Sequence, residues 1–352
     1  MMPVRVLIVD DSAMMRSFLR EVLAGDPAIE VVGVAPDPFS ARQKIKDLNP
    51  SVITLDIEMP GMDGLTFLEH LMRLRPMPVV MVSSLTQRGA AATLKALEIG
   101  AVDFVAKPSR GLETGWPDFG AEIIAKVKTA AAAFVPYEIP PTPHLALPQG
   151  TSGSSRLVAL GGSTGSVAVF QHIIGAMPAD SPAMLVAVHM PAQFTKQFAA
   201  RLDDMCAMKV TEAADGMPIA TGHVLVAPGD RHLMVKRTAA GYVCKLENGP
   251  RVNGHVPSVD VLFESVARAA GPNGLGIILT GMGRDGAVGL KAMRDAGALT
   301  ACQDEATSLI YGMPGAAVAE GAVCHELPLS GIPAYILSTV GSRPAINMRV
   351  GA

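Results

Sequence analysis

The sequence predicts an α/β fold with an N-terminal doubly wound sheet of five parallel strands, a linker, and a C-terminal doubly wound, mostly parallel domain with an antiparallel addition. Short apolar runs alternate with segments of helical periodicity along most of the chain, which is typical of βα units around a parallel sheet. Hydrophobic residues make up 49% of the 352 residues, enough for strands that helices cover on both faces. Residues 135–155 contain five prolines and no amphipathic period, which predicts an extended linker.

The linker separates two predicted domains of ordinary size, residues 1–134 and residues 156–345. Within the first domain, the apolar side chains of residues 39–48 follow helix-type spacing. Strands are assigned to the apolar runs at residues 4–9, 30–34, 52–55, 79–82 and 102–105. Five successive βα units predict a parallel sheet with helices on both faces.

The second domain continues this pattern. Buried strands are assigned to residues 157–160, 184–189, 275–280 and 299–302, and helices to residues 167–177 and 287–296. Residues 209–247 differ because they contain short alternating runs, as at residues 223–227 and 242–246. Such runs predict antiparallel strands added to the parallel core.

Charge and composition argue against several kinds of partner. The formal net charge is −3 and only 4% of the residues are aromatic, so we expect no nucleic-acid surface. No apolar run is long enough to span a bilayer, and no membrane insertion is expected. The apolar run at residues 4–9 is too short for a secretion signal and stops at two aspartates. We therefore expect a cytoplasmic location.

One group of reactive side chains follows the strands of the first domain. Its members are Asp10 and Asp11 after the first strand, Asp56 after the third, Ser83 after the fourth and Lys107 after the fifth. The carboxyl ends of parallel strands face one crevice, and crowded carboxylates there favour Mg²⁺. An aspartate so placed can attack a phosphoryl group, whose oxygens the lysine and the serine can hold. The alternative is that each aspartate only caps the following helix.

A second group lies in three stretches of the other domain. Ser163 stands in Gly-Gly-Ser-Thr-Gly, His189 ends a predicted strand, and Asp285 lies in Gly-Met-Gly-Arg-Asp-Gly. Serine, histidine and aspartate are the nucleophile, base and orienting carboxylate of a hydrolase, although their chain order differs from that of the α/β-hydrolase fold. The alternative is that the serine caps its helix and the histidine is structural.

The glycine-rich stretch at residues 281–286 has another interpretation. It matches G-x-G-x-x-G between a strand and a helix, and Asp304 and Glu305 follow roughly 20 residues later, as in a dinucleotide-binding fold. Against this, a carboxylate at Asp285 would repel a pyrophosphate. A signalling adaptor whose second domain only binds is a further alternative.

Residues 4–134 resemble a response-regulator receiver domain. The resemblance rests on Leu-Ile-Val-Asp-Asp-Ser at residues 7–12, on residues 55–64, and on Asp-Phe-Val-Ala-Lys-Pro at residues 103–108. It implies a flavodoxin-like sheet whose aspartate is phosphorylated by a chemotaxis histidine kinase. The implied roles are Asp56 as phosphoacceptor, Asp10, Asp11, Asp56 and the Glu58 backbone carbonyl around Mg²⁺, and Ser83 and Lys107 as sensors of the phosphoryl group.

Residues 156–340 resemble the catalytic domain of the chemotaxis protein-glutamate methylesterases, the CheB family. The matching motifs lie at residues 162–165, 189–195, 226–232, 257–260, 280–287, 303–308 and 311–314. The resemblance implies phosphorylation-regulated hydrolysis of glutamate γ-methyl esters on methyl-accepting chemoreceptors, deamidation of receptor glutamines, and no cofactor for the esterase reaction. The implied roles are Ser163 as nucleophile, His189 as base, Asp285 as its orienting carboxylate, and Thr164 and the Met282 backbone N–H at the oxyanion site.

Five positions depart from the family's usual pattern. Ser166 and Gln193 stand where glycines are usual, and arginines are usual at the positions of Gly254, Val256 and Gly315. None of the five belongs to the serine, histidine and aspartate set. Because the missing arginines lie near loops that can contact an acidic receptor helix, they bear on substrate preference and not on the reaction.

Overall fold

The computed structural model describes residues 2–84, 86–108, 116–133, 135, 139–143, 145–146 and 156–339. The chain divides into two compact units, Met1–Glu138 and Ile139–Ala352. Most of the predicted linker, and residues 340–345 of the predicted second domain, lie outside the described residues.

The first unit is a βα alternation in which five parallel strands form one sheet in the order β2-β1-β3-β4-β5. The strands are β1 (Val4–Val9), β2 (Ile29–Ala35), β3 (Val52–Asp56), β4 (Val79–Ser83) and β5 (Asp103–Ala106). The helices are α1 (Ala13–Ala24), α2 (Pro38–Leu48), α3 (Gly64–Leu74), α4 (Gln87–Ile99) and α5 (Trp116–Ala131). The predicted five-stranded parallel sheet is confirmed.

Strands β3 and β4 are buried along their whole length, as expected of parallel strands that helices cover on both faces. In α2 the buried side chains are Pro38, Ala41 and Ile45, whereas Phe39 is 70% exposed. The order reverses between β1 and β3, so the crevice for a ligand lies beyond the carboxyl ends of these two strands.

The second unit contains a larger parallel sheet in the order β15-β14-β13-β6-β7-β10-β8, and a small antiparallel sheet in the order β11-β12-β9. The strands are β6 (Leu157–Gly162), β7 (Ala183–Val188), β8 (Lys209–Glu212), β9 (Pro218–Ile219), β10 (His223–Val226), β11 (His232–Thr238), β12 (Gly241–Glu247), β13 (Gly274–Ile278), β14 (Leu299–Gln303) and β15 (His325–Leu327). The helices are α6 (Ser166–Gly175), α7 (Ala192–Met205), α8 (Val259–Ala270), α9 (Ala287–Asp295), α10 (Gly312–Ala319) and α11 (Ile332–Ser338). The mostly parallel domain with an antiparallel addition is confirmed.

One strand assignment within this domain was wrong. The run at residues 223–227 was expected to be antiparallel, but β10 pairs in parallel with β7 and β8 inside the large sheet. Residues 224–227 are all buried, and a continuous apolar run is typical of a strand covered on both faces. The run at residues 242–246 does lie in an antiparallel strand, β12, which pairs with β11 and β9.

Strand β6 lies at the centre of the large sheet, between β13 and β7. From β6 the chain proceeds to one side of the sheet through β7, and later returns to the other side through β13. A ligand crevice is expected beyond the carboxyl ends of strands at such a reversal of order. In the described part of the chain, no helix combines the length and the apolar character that crossing a membrane would require.

Candidate functional site

Ser163 follows β6 directly, in a turn whose backbone is held on two sides. Its N–H donates to the carbonyl of Thr280 at 3.0 Å, which joins it to the segment after β13. Its own carbonyl accepts the hydroxyl of Ser166 at 2.6 Å. The N-cap residue of α6 is Gly165, and no side-chain hydrogen bond caps this helix. Ser163 is therefore not the cap of α6.

The departure at Ser166 therefore has a visible structural role. Its side chain is fully buried, and its hydroxyl and its N–H both bind the carbonyl of Ser163. A Cβ at Gly162 would lie only 2.7 Å from the Cβ of Ser166. Glycine at 162 thus makes room for a serine that fixes the turn carrying Ser163.

Gly281 lets the loop after β13 approach the same turn closely. A Cβ on Gly281 would lie 2.8 Å from the Cβ of Ser163 and would overlap the sulfur of Met313. A glycine is required wherever two backbones come this close. The stretch at residues 281–286 therefore brings Asp285 to the edge of the sheet where Ser163 lies.

His189 and Asp285 form a hydrogen-bonded pair. The Nε2 of His189 lies 2.8 Å from Oδ2 of Asp285, and the two side chains are 6% and 1% exposed. The backbone N–H of His189 donates to Gly162 at 3.4 Å, next to Ser163. Among the described residues, Nδ1 of His189 has no hydrogen-bond partner. The structure thus pairs the predicted base with its carboxylate and leaves the other ring nitrogen unpaired.

The carboxylate of Asp285 sits at the N-terminus of α8 in a cradle of donors. The hydroxyl of Ser258 lies at 2.8 Å, the N–H of Val259 at 2.7 Å, and the amide of Asn253 at 3.0 Å. Burial alone would raise the pKa of Asp285, but the bond and charge of His189, with the Asn253 and Val259 donors, hold that pKa well below its usual range. The group is therefore an anion throughout the neutral range.

Three neighbours of this pair were given no individual role from the sequence. The ring of His255 stacks on that of His189, with centroids 3.6 Å apart and planes inclined by 4°. Asn253 and Ser258 both donate to Asp285. Ser258 directly precedes an apolar run, and serine is a preferred N-cap residue, so its role as the cap of α8 could be predicted from the sequence. Nothing in the sequence distinguishes His255 from the other histidines, or Asn253 from an ordinary turn residue.

The two predicted oxyanion residues follow Ser163 and Gly281, whose backbones lie close together. Thr164 is buried, and its carbonyl accepts the hydroxyl of Thr280 at 3.1 Å. Met282 follows Gly281 and exposes 49% of its surface. Both positions border the turn that carries the predicted nucleophile.

The structure also gathers the acidic group of the first unit. Oxygens of Asp10, Asp11 and Asp56 lie within 4.8 Å of one another. The Nζ of Lys107 contacts Asp10 at 3.0 Å and Asp56 at 2.8 Å. Helix α1 is capped by Ser12 instead of either aspartate. Helix α3 is likewise capped by Asp63 and not by Asp56. None of the three carboxylates is therefore the N-cap of the helix that follows it, and their hard oxygens suit a magnesium ion.

Asp56 is nearly inaccessible, at 3% exposure. Burial, together with the charge of Asp10, raises the pKa of Asp56 to about 6 despite the opposing effect of Lys107. The backbone N–H of Glu58 donates to the same carboxylate at 3.3 Å. A cation bound at this cluster would offset the repulsion between the carboxylates of Asp10 and Asp56, which favours the protonated form of Asp56.

Ser83 ends β4 and its backbone carbonyl accepts the N–H of Lys107 at 2.7 Å. Its hydroxyl is fully buried and accepts that of Thr93 at 2.7 Å while facing the carbonyl of Gly89 at 3.3 Å. In this arrangement the hydroxyl bonds to α4, whereas the lysine bonds to the aspartates.

Two residues that bear on the dinucleotide interpretation, Asp285 and Asp304, have other contacts. Asp285 is turned inward onto His189 and α8. Oδ1 of Asp304 accepts the N–H and the hydroxyl of Thr307, at 3.0 and 2.6 Å. These bonds tie Asp304 into its own turn.

Comparison with known proteins gives matches to both units. Residues 158–336 match the family model described as CheB methylesterase, and residues 6–113 match the response regulator receiver domain. The protein-glutamate methylesterase/protein-glutamine glutaminase of Escherichia coli (strain K12) is 49% identical, over 99% of this chain and 100% of that protein. A protein of the same name with the suffix 2, from Pseudomonas aeruginosa, is 50% identical over 98% of this chain and 99% of its own length.

A solved structure also matches the second unit. The crystal structure of the Thermotoga maritima CheB methylesterase catalytic domain superposes with a TM-score of 0.52 at 33% sequence identity, and covers 53% of this chain and 98% of that one. Since the relatives match over nearly the full length and the two family models match successive parts of the chain, this chain belongs to the CheB methylesterase family, with a receiver domain preceding the catalytic domain.

Proposed function

We propose that this chain is a phosphorylation-regulated hydrolase that removes methyl groups from glutamate γ-methyl esters on chemoreceptors and deamidates receptor glutamines. Relatives at 49–50% identity are named for both activities. The observation that carries the proposal is the buried, hydrogen-bonded pair of His189 and Asp285, whose Nδ1 has no partner among the described residues, with the His189 backbone bonded to Gly162 next to Ser163.

Acylation begins at Ser163. With its proton on Nε2 bonded to Asp285, the neutral ring of His189 keeps a lone pair on Nδ1. That nitrogen takes the hydroxyl proton of Ser163 as the oxygen attacks the ester carbonyl. Asp285 stays ionised and stabilises the imidazolium that forms.

The oxyanion that develops lies beside the turn at residues 163–165 and the loop at residues 281–283. Thr164 and the backbone N–H of Met282 are the donors we assign to it. As the tetrahedral intermediate collapses, methanol leaves with the proton from His189. Water then attacks the acyl-serine, His189 again serving as base, and glutamate and free Ser163 are released. An amide passes through the same kind of intermediate, with ammonia as leaving group.

Asp56 is the phosphoacceptor in this proposal. Its ionised carboxylate attacks the phosphorus of the kinase's phosphohistidine, and the P–N bond breaks with its electron pair going to the leaving histidine. Lys107, already bonded to Asp56, then pairs with a phosphoryl oxygen. The hydroxyl of Ser83 leaves its bond with Thr93 to reach another. The residues that would hold Mg²⁺ are Asp10, Asp11, Asp56 and the carbonyl of Glu58, and the ion would neutralise charge on the transferring group.

There is space for a phosphodonor beside this cluster. A cavity of about 560 Å³ is lined by Asp11, Glu58, Met59 and Arg88, among others. Arg88 is a cation suited to an anionic donor. The partners proposed are a chemotaxis histidine kinase as donor and methyl-accepting chemoreceptors as substrates, and the proposed location is the cytoplasm.

Methanol release from methylated receptor membranes tests the proposal. The wild-type chain should release methanol, and a phosphodonor with Mg²⁺ should raise the rate. Ser163→Ala should lower it by a factor on the order of 10⁴–10⁶. Ser330→Ala removes an exposed hydroxyl of the same unit and serves as the matched control. Full activity in Ser163→Ala would remove this residue as the nucleophile.

A further inference from the structure

We propose that Asn253 is a positioning residue of the esterase reaction: its side-chain amide joins two buried carboxylates, Asp260 and Asp285, and fixes the turn at residues 252–255 against the catalytic pair. The inference rests on the proposed hydrolysis and adds to it a residue that does not touch substrate.

The amide of Asn253 bonds to both carboxylates at once. Nδ2 lies 2.7 Å from Oδ2 of Asp260 and 3.0 Å from Oδ1 of Asp285. An amide nitrogen carries two hydrogens, so both bonds can be made together. An acceptor at this point would face two negative oxygens and would be repelled, which explains why an amide suits the position.

The two carboxylates need a donor between them. Asp260 and Asp285 are 5% and 1% exposed. Burial, followed by the nearby charge of Asp285, raises the pKa of Asp260. The carboxylate of Asp260 also accepts the N–H of Gly289, at 2.6 Å. The amide of Asn253 therefore stabilises the anion of Asp285 while limiting its repulsion with Asp260.

The backbone of Asn253 connects this bridge to the ring of His255. Asn253 is in the left-handed region, with φ of 51°, a conformation that asparagine tolerates better than most residues. Val252 and His255 exchange two backbone hydrogen bonds, at 3.0 and 2.9 Å, and close the turn. Since the His255 ring stacks on His189, the turn contacts the catalytic pair twice, at the carboxylate and at the imidazole.

A charge added at Asn253 should change the electrostatic environment of His189, because Asp285 is bonded to both residues. The ionisable groups on the segments around this pair are His255 in the turn and Arg251 just before it, Asp260 and Glu264 of α8, His232 of β11, and Arg284 of the loop that carries Asp285. Asn253→Asp adds a third carboxylate beside Asp260 and Asp285 and removes the bridging donor. Added negative charge beside the pair favours its protonated form, so the activity of Asn253→Asp should appear only at higher pH than that of the wild type.

The experiment measures kcat and KM for methanol release between pH 5 and pH 9 in the full-length wild type, Asn253→Ala and Asn253→Asp. Asn253→Ala should lower kcat about tenfold while KM stays within twofold. Asn253→Asp should also move the acid limb of the kcat/KM profile upward by about one pH unit. Asn273→Asp adds the same charge at the opposite end of β13 and should leave the profile in place. Thermal unfolding checks that each variant is folded.

Three outcomes overturn the inference. They are a wild-type kcat in Asn253→Ala, a profile that does not move in Asn253→Asp, and an equal shift in Asn273→Asp. If Asn253→Ala does not fold, Asn253→Asp, whose side chain is the same size, decides the question through its pH profile. A wild-type chain that releases no methanol would instead contradict the proposed hydrolysis.

Discussion

The imidazoles of His189 and His255 lie face to face at 3.6 Å, and this contact covers one face of the ring that is bonded to Asp285. A flat ring stacked on the imidazole of the proposed base restricts its rotation and displaces water from it. Preorganisation of this kind is most valuable where the active geometry must be held within a fraction of an ångström.

His255→Ala should therefore lower kcat for methanol release about tenfold, because the ring of His189 loses its support on one side. His255→Phe keeps a flat ring at the same place and should lose less, only about two- to threefold. The measurement is the ratio of the two kcat values at one pH where wild-type activity is on its plateau. Equal losses in both variants would mean that stacking is not what His255 contributes.

Gly281 offers a separate test of how Ser163 is positioned. Gly281→Ala adds a methyl group 2.8 Å from the Cβ of Ser163, so Met313 or the turn of the proposed nucleophile must shift. A displacement near 1 Å costs roughly 10² in rate, and kcat should fall by about that factor with a smaller change in stability.

The matched control for that variant is Gly175→Ala, at the end of α6. There the nearest atom to the new methyl is Cγ2 of Thr142 at 3.5 Å, an ordinary contact, and activity should be retained. An unchanged kcat in Gly281→Ala would show that the loop after β13 does not set the position of Ser163.

Asp285 can be tested by removing its charge and keeping its shape. Asp285→Asn turns an acceptor oxygen into an N–H donor in a cradle that already consists of donors from Ser258 and Val259. The ring of His189 then loses both its orienting bond and the anion that stabilises its imidazolium, and kcat should fall by about 10⁴. Asp295→Asn, at an exposed ion pair with Lys291, should leave kcat unchanged. A loss below tenfold in Asp285→Asn would contradict its assigned role.

The sequence predicted the strand ends better than it predicted the surroundings of the site. Ser163, His189, Asp56 and Lys107 follow buried apolar runs, and the edge rule for parallel sheets placed them in two crevices. The wrong assignment concerned residues 223–227, where alternation was inferred from a run that is continuously apolar. A strand buried on both faces shows no period of two.

The turn at residues 252–255 could not be predicted in the same way. It belongs to no strand end, and its contacts with Asp285 and His189 join residues about 30 to 70 positions apart along the chain. Such contacts depend on where α8 packs, and local periodicity does not report that. Ser166 was noted only as a departure from the family's pattern, and its bond to Ser163 became visible only in three dimensions.

The receiver unit yields a prediction with a defined pH range. Because the pKa of Asp56 is raised to about 6, Mg²⁺ must displace a proton when it binds at acidic pH. The carboxylate is almost fully available at pH 7 and about one-tenth available at pH 5, so Mg²⁺ affinity should fall about tenfold between these values. Isothermal titration calorimetry of the full-length chain with MgCl₂ measures it directly, without any enzyme assay.

The raised pKa of Asp56 also makes the stability of the receiver unit depend on pH. The folded state holds the Asp56 proton more tightly than the unfolded state, in which the aspartate has its ordinary pKa of 3.8. Below that value both states are protonated. As the pH rises towards 6 the unfolded state ionises first, and the receiver unit loses on the order of 2–3 kcal/mol of stability.

Asp56→Asn should therefore raise the melting temperature of the receiver unit in metal-free buffer at pH 7.5 more than at pH 4.5. The same variant should abolish the pH dependence of Mg²⁺ binding between pH 5 and pH 7. Asp63→Asn, in the N-cap of α3, controls for loss of a nearby carboxylate. A wild-type affinity that is the same at pH 5 and pH 7 would show that Asp56 is already ionised at pH 5, and that Lys107 outweighs the burial of the carboxyl group.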